Sequence, residues 1–466
     1  MKQFTPFVAM LALALSAAAQ DYKTTVIYQE PNLRPGSTQL NNAGEVAGSY
    51  ISSSGASHMF RWSKTDKLQD LGTLGGSSSG STAINDAGQI VGGSLLPEDK
   101  TGHAVFWSPA TGLVDIGGFG GFTGYAVGIN NSSQVTGLSY LRNNQIPHAF
   151  FWSPSGGLQD IGDGVSSEGI AINGNGQVVG LLQDRHNRVD GFLWSQTGGF
   201  QVFNPTAFGD TATVGVSDSG LVAGNFSSGH CLIGEGCGFV WSQSGGFQLL
   251  TLNGTSVHVL YENAAGTVVG YVNTTAGTYH IFLWTQNSGV QDLGVLPGRS
   301  YSYPYALNNK GEVLGVSCKA DGVCRGFVWR PGQGMKAIPD SDNSSRVFTK
   351  INDAGQLIGV LNNAETVLLS PWVHVKLASS QNPSKLGQSV TFTATASSVE
   401  GAPKDGDLVT FEIGNKILGR APLLGGTASL TTSSLAVGTH PITATYAGDA
   451  NYDAQKSGAL QEVITP

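Results

Sequence analysis

Short apolar runs rich in Val, Ile, Phe, Leu and Trp alternate along the chain with clusters of Gly, Asn, Asp and Ser. No long stretch carries the spacing of an amphipathic helix, so the pattern predicts strands and tight turns throughout. One phrase recurs. Ile84-Asn85-Asp86-Ala87-Gly88-Gln89-Ile90-Val91-Gly92 returns from Ile129 and from Ile172, strongly again from Ile351, and in weaker copies from Leu40, Val216, Tyr261 and Leu307. A second phrase, as in His103-Ala104-Val105-Phe106-Trp107, follows seven of these eight copies. Its tryptophans, Trp62, Trp107, Trp152, Trp194, Trp241, Trp284 and Trp329, are spaced by 45, 45, 42, 47, 43 and 45 residues. A third phrase, Leu68-Gln69-Asp70-Leu71-Gly72 and its copies near Asp160 and Asp292, closes most units.

Four short strands in about 45 residues is the size of a propeller blade. The Asn-Asp-Ala-Gly piece supplies hairpin chemistry, because Asn, Asp and Gly tolerate the positive φ of tight turns. Closing such sheets into a ring protects edges that a flat stack leaves open. Lys23 to Gln29 reads as a lone closing strand ahead of the first unit, while the last unit, Ile351 to about Leu369, lacks a recognisable fourth strand. The expected fold is therefore all-β: a β-propeller of eight blades, with seven as the alternative, whose final sheet is completed by the N-terminal strand. The period stops near Trp372. The alternating segments around Val390, Val409 and Ile442 then predict an immunoglobulin-like β-sandwich without the antibody-type cysteine pair. Expected boundaries are 1–19 for a signal peptide, 20–372 for the propeller and 373–466 for the sandwich.

The linked phrases Ala83 to Gly92, His103 to Ser108 and Leu113 to Gly117 resemble the HAF repeats of bacterial extracellular proteins, and His148-Ala149-Phe150 matches that motif literally. The resemblance spans about residues 40–370 and weakens where His is replaced, as at Asp190-Gly191-Phe192, Cys237-Gly238-Phe239 and Gly326-Phe327. The tail, with Gly387-Gln388-Ser389-Val390-Thr391-Phe392 and Tyr446-Ala447-Gly448-Asp449, is similar to bacterial Ig-like spacer domains. These resemblances imply architecture and an extracellular location; neither implies a chemistry.

Composition narrows the function classes. Glycine contributes 66 of 466 residues, about twice the usual share, and charged residues only 12%, about half of it. A net charge of −8 argues against binding a phosphate backbone, which needs clustered Lys and Arg. Lys2, the apolar stretch from Phe7 to Leu15 and Ala17-Ala18-Ala19 read as a secretory signal, with the mature chain beginning near Gln20. No later segment is long and apolar enough to predict a membrane-spanning helix. Cys231 with Cys237 and Cys318 with Cys324 share one short spacing, which suits two local disulfides in an oxidising compartment. A four-thiolate zinc site, the alternative, usually has closer pairs.

Candidate chemistry is sparse. His58, His103, His148 and His280 occupy one repeat position, and Asp70, Asp115, Asp160 and Asp292 another. Equivalent positions on separate blades do not converge on one ion or flank one bond, so a structural role at the strand entrance and turn capping are expected, with no metal and no cofactor. Gly76-Ser77-Ser78-Ser79-Gly80 matches a nucleophile elbow in letters, but no helix pattern follows it. The connections leading into the Asn-rich strands should gather on one face, and two are aromatic: Phe119, Phe122 and Tyr125, and Tyr301, Tyr303 and Tyr305. Such rings stack on sugars or anchor proteins. The expectation is a secreted, non-enzymatic, monomeric repeat protein, extracellular or at the cell surface. It would bind a glycan or an envelope protein through that face; a secreted carbohydrate-active or other hydrolytic propeller, or an envelope scaffold without a small ligand, is the alternative.

Overall fold

Each repeat folds as one antiparallel four-stranded sheet whose register is set by its tryptophan. In the computed structural model Trp62, Trp107, Trp152, Trp194, Trp241, Trp284 and Trp329 each lie opposite the first residue of the preceding strand, as in Ile90 with Trp107 and Val135 with Trp152. The structure describes residues 21–29, 38–52, 54–142, 146–163, 165–203, 209–227, 237–274, 277–342, 346–361, 365–449 and 451–466. The proposed signal peptide, the cleavage site near Gln20 and Cys231 lie outside them.

Among the described residues eight such four-stranded units follow one another; those of blades 2 and 3 are joined into one eight-stranded sheet at Thr123 and Gly102, and that of blade 6 carries the extra short strand Thr251–Leu252. Their first strands are Gln39–Leu40, Ser79–Ile84, Gly120–Ile129, Ser166–Ile172, Thr211–Val216, Thr255–Glu262, Tyr301–Leu307 and Arg346–Ile351, here the inner strands of blades 1 to 8. Each inner strand packs against the next, and that of blade 8 returns to that of blade 1. A ring results, with the first strands around its axis. The fourth strands are largely exposed and form the rim, as in Lys67–Gly72 and Gly157–Asp160.

The last sheet is closed by the chain's beginning. Tyr22–Gln29 pairs with Glu365–Pro371, giving blade 8 its fourth strand, and Gln29 Nε2 donates to Glu365 Oε1 at 2.6 Å. The β-propeller with a sewn closure expected from the sequence is thus the observed architecture. Between blades, apolar side chains form separate cores. Phe106, Phe151 and Phe203 each pack against the tryptophan of the following blade, with centroids 4.7–5.1 Å apart, the first two tilted and the third stacked.

The recurring asparagine does more than turn the chain. Asn85 Oδ1 accepts the amides of Ala87 and Gln89, fixing a turn in which Gly88 takes φ +71°, while Nδ2 donates to Gln89 Oε1 and to the Asn130 carbonyl of the next blade. Asn41, Asn130, Asn173, Asn263 and Asn308 also reach forward in this way, and Asn352 closes the circle by donating to the Asn41 carbonyl at 2.9 Å. A polar belt therefore encircles one end of the ring. Its exception lies between blades 5 and 6, where Ser217 replaces Asn. There Asp218 N donates to Ala264 O, and Asn225 exchanges two hydrogen bonds with the backbone of Val259.

The repeat glycine of the second strand has a steric cause. Seven inner strands bulge just before their last residues, bringing a carbonyl so close that a Cβ on Gly92 would lie 1.9 Å from Gly80 O and one on Gly270 1.8 Å from His258 O.

The chain divides into two units. One holds Thr24–Ser370 with Gly448–Asn451; the other holds Pro371–Ala447 and Tyr452–Pro466, with the described residues up to Lys23. In the second, a three-stranded and a larger sheet enclose Val390, Phe392, Val409, Phe411, Ile442 and Tyr446, which is the expected Ig-like sandwich. No helix of the described residues is long and apolar enough to cross a membrane.

Candidate functional site

Strand alternation sorts the connections by end. The Asn turns and the third-to-fourth hairpins lie at the belt end. The blade-to-blade connections and second-to-third hairpins lie at the opposite end, the open end below.

Tyr301, Tyr303 and Tyr305 do not sit in a connecting loop as expected. They lie on the inner strand of blade 7, and Tyr125 and Phe122 lie on that of blade 3. The reason is local: Tyr-Ser-Tyr-Pro-Tyr alternates with period two, and aromatic residues favour extended backbone. Ser302 and Pro304 are buried while the three tyrosines are partly exposed. Blade 6 adds His258, Tyr271 and Tyr279. Ring centroids are 5.0 Å for His258 with Tyr271, 5.6 Å for Tyr271 with Tyr279, 5.5 Å for Tyr271 with Tyr303, 5.4 Å for Tyr279 with Tyr301 and 6.0 Å for Tyr303 with Tyr305. Tyr261 joins them from below; burial, with the Tyr303 and Tyr305 phenols next, pushes its own phenol up to about 12. One aromatic cluster thus spans two blades at the open end.

The other set is dispersed. Phe119 packs partly buried into the core between blades 2 and 3, whereas Phe122 is 64% and Tyr125 39% exposed. Counting back from the belt asparagine, Tyr125, Glu168, His258 and Tyr303 occupy one repeat position on the inner strands of blades 3, 4, 6 and 7. The two aromatic sets of the sequence therefore stand on opposite blades of an eight-membered ring, a relation that the blade count alone reveals.

The cluster is anchored by the blade 7 hairpin. Cys318 and Cys324 lie opposite each other and form a disulfide, Ser300 N donates to Cys318 O, and Arg299 Nη1 to Val323 O at 2.6 Å. These contacts hold the segment that enters Tyr301. Cys237 is buried, and among the described residues no cysteine is a free thiol; Cys231, its expected partner, lies outside them.

The repeated histidines and aspartates prove to be partners. In His58–Asp70, His103–Asp115, His148–Asp160 and His280–Asp292 the Nδ1–H donates to the carboxylate at 2.9–3.2 Å, across the third and fourth strands of one blade. The structural role of the His is thus a side-chain pairing across the hairpin; the Asp also caps its turn, as in Gly72 N to Asp70 Oδ1 at 2.9 Å. Burial would raise the Asp70 carboxyl, but the His58 hydrogen bond, with the Gly72 amide and the Tyr50 hydroxyl, brings it below the usual range. Serines of the following blade complete the joint. Ser79 accepts Met59 N at 2.8 Å and donates to Gly72 O at 2.6 Å, and Ser302 repeats this with Ile281 N and Gly294 O. The serine proton is directed at a carbonyl and not at the imidazole, so the arrangement staples blades rather than priming a nucleophile. Among the described residues no cluster of three or more His, Cys, Asp or Glu could hold a metal ion.

Among curated proteins none matches the chain in sequence. Solved structures with similar arrangements include a puromycin hydrolase (11% identity, 77% of this chain and 64% of that one, TM-score 0.42). Others are the Pyrococcus horikoshii acylaminoacyl peptidase (10%, 78% and 57%, TM-score 0.41) and TolB from Acinetobacter baumannii (10%, 75% and 96%, TM-score 0.35). The chain spans less than two thirds of the length of either hydrolase. At these values the likeness concerns the arrangement of strands and carries nothing about activity. The one family assignment falls on the second unit: residues 377–465 match the bacterial Ig-like domain (group 3).

Proposed function

We propose that this is an extracellular recognition protein, built from HAF-type repeats, that binds a glycan through the aromatic cluster of blades 6 and 7. The observation that carries the reading is the gathering of Tyr271, Tyr279, Tyr301, Tyr303 and Tyr305 with His258 into one partly exposed patch at the open end. Phenol rings offer apolar faces to the C–H side of a sugar and hydroxyls to its oxygens, at small loss of side-chain freedom. The disulfide and the signal-like N-terminus support an oxidising, extracytoplasmic setting. The Ig-like domain serves as spacer or dock. A hydrolytic role has less support, because the serines beside the His–Asp pairs are engaged with backbone groups.

Affinity electrophoresis of the full chain in gels containing neutral and acidic polysaccharides tests this. Retardation by at least one polysaccharide that Tyr303→Ala and Tyr301→Ala abolish is expected. Equal mobility of wild type and both variants in every gel refutes it, and retention of an envelope protein alone transfers the patch to a protein partner.

A further inference from the structure

A second concavity opens at the same end between blades 3 and 4. It measures about 240 Å³ and is walled by Pro147, Leu181, Leu182 and Val189, with Ser166, Ser167, Glu168 and Gln183 as polar groups. That volume lies below the ~300–1,000 Å³ of ordinary small-molecule pockets, so it suits a single side chain better than an oligosaccharide.

The charge at this place is uncompensated. Among the described residues no cation pairs with the Glu168 carboxylate. Of the basic groups nearby, Arg188 lies 3.2 Å from Asp190 and 3.7 Å from Asp184, and His148 is held by Asp160. Tyr125, at the equivalent position of the neighbouring blade, senses the same carboxylate: burial first, then the Glu168 charge, raises its phenol. A cavity with an aliphatic wall and one carboxylate in its polar lining, near a 39%-exposed phenol ring, has the chemistry that accepts a methylene chain tipped by a cation.

We propose that this cavity seats an alkylammonium group, that of a lysine side chain on a partner protein. The methylenes lie against Leu181, Leu182 and Val189, and the ammonium meets Glu168 with Tyr125 at its flank. This site is independent of the blade 6 and 7 cluster.

Saturation-transfer NMR of the full chain with a blocked Gly-Gly-Lys-Gly-Gly peptide tests it, with the Nζ-acetylated peptide and cadaverine as comparisons. The lysine methylenes should receive saturation. Glu168→Gln, Val189→Trp and Nζ-acetylation should each weaken binding at least tenfold, while Tyr303→Ala and the distant exposed Glu98→Gln leave it unchanged. Equal binding by Glu168→Gln or by the acetylated peptide overturns the proposal. So does an equal loss in Glu98→Gln, which would reveal bulk charge attraction. Cadaverine binding as tightly as the peptide overturns the lysine side chain as the source and assigns the site to free amines. Circular dichroism of each variant establishes that the fold is retained.

Discussion

The substitution Asn352→Ala removes the belt's closing member. Asn352 is 3% exposed and makes four hydrogen bonds: Nδ2 to Asn41 O at 2.9 Å and to Gln356 Oε1 at 2.7 Å, and Oδ1 from Ala354 N at 3.1 Å and Gln356 N at 2.9 Å. At about 1 kcal/mol net each, with added cost for buried partners left unsatisfied, the loss should be about 3–5 kcal/mol. With an unfolding entropy of ~2.1 cal/mol/K per residue over roughly 350 residues, this lowers the melting temperature by about 4–7 °C. Asn85→Ala is the matched control, because Asn85 makes the same four bonds from a blade whose four strands follow one another in the chain. Both variants should lose similar stability by calorimetry. Hydrogen exchange should separate them: only Asn352→Ala should speed exchange in Tyr22–Gln29 and Glu365–Pro371, since blade 8 alone holds its fourth strand to its third by pairing without a hairpin between them. Melting temperatures of both variants within about 1 °C of wild type, or equal exchange in those strands, would refute the reasoning.

Other outcomes follow from single residues. Glu262 is a buried carboxyl with Oε2 accepting Ala223 N and, among the described residues, no hydrogen-bond partner for Oε1; burial holds it well above the usual carboxylate range, against the pull of the backbone amides. A raised folded pKa contributes stability that is full below the unfolded value and lost as pH rises, so Glu262→Gln should raise the melting temperature at pH 8 and lose that advantage near pH 4. Asp70 has the opposite sign: its depressed carboxyl stabilises above the unfolded pKa of about 3.9 and ceases to as pH falls through the folded value. Asp70→Asn should therefore flatten the acid limb of a stability-versus-pH curve. Cys318→Ser with Cys324→Ser should cost about 2 kcal/mol in denaturant unfolding, since the bridge closes a short loop. It should also weaken whatever ligand the tyrosine patch takes, and unchanged binding would separate the bridge from the patch.

The repeat made the architecture readable. Seven tryptophans at nearly constant spacing, one extra strand at the start and one missing at the end sufficed for the ring and its closure. Side-chain partnerships were harder, although the histidine and aspartate carried a usable signal. They are separated by 12 residues in all four pairs, and blades 4, 5 and 7 lack both, with Asp190 and Val202, Cys237 and Leu249, and Arg325 and Ala337 in their places. Two positions that come and go together face each other across a hairpin. The forward reach of Asn85 had no such signal, since a turn asparagine and a belt asparagine have the same letters around them. Nor did the cavity at Glu168, because its walls belong to strands that become neighbours only once blades 3 and 4 stack.

Because Tyr22–Gln29 completes the sheet that ends at Pro371, the earliest part of the ring to be synthesised must wait for the latest. Until then it is an unpaired strand in search of an edge, and blade 8 offers one. Long-range pairing of this kind slows folding and leaves the nascent chain open to wrong partners, including the same edge of a second copy. A chain cut short before Glu365 would leave this strand without its berth, so the barrier to maturation lies in a single late docking event.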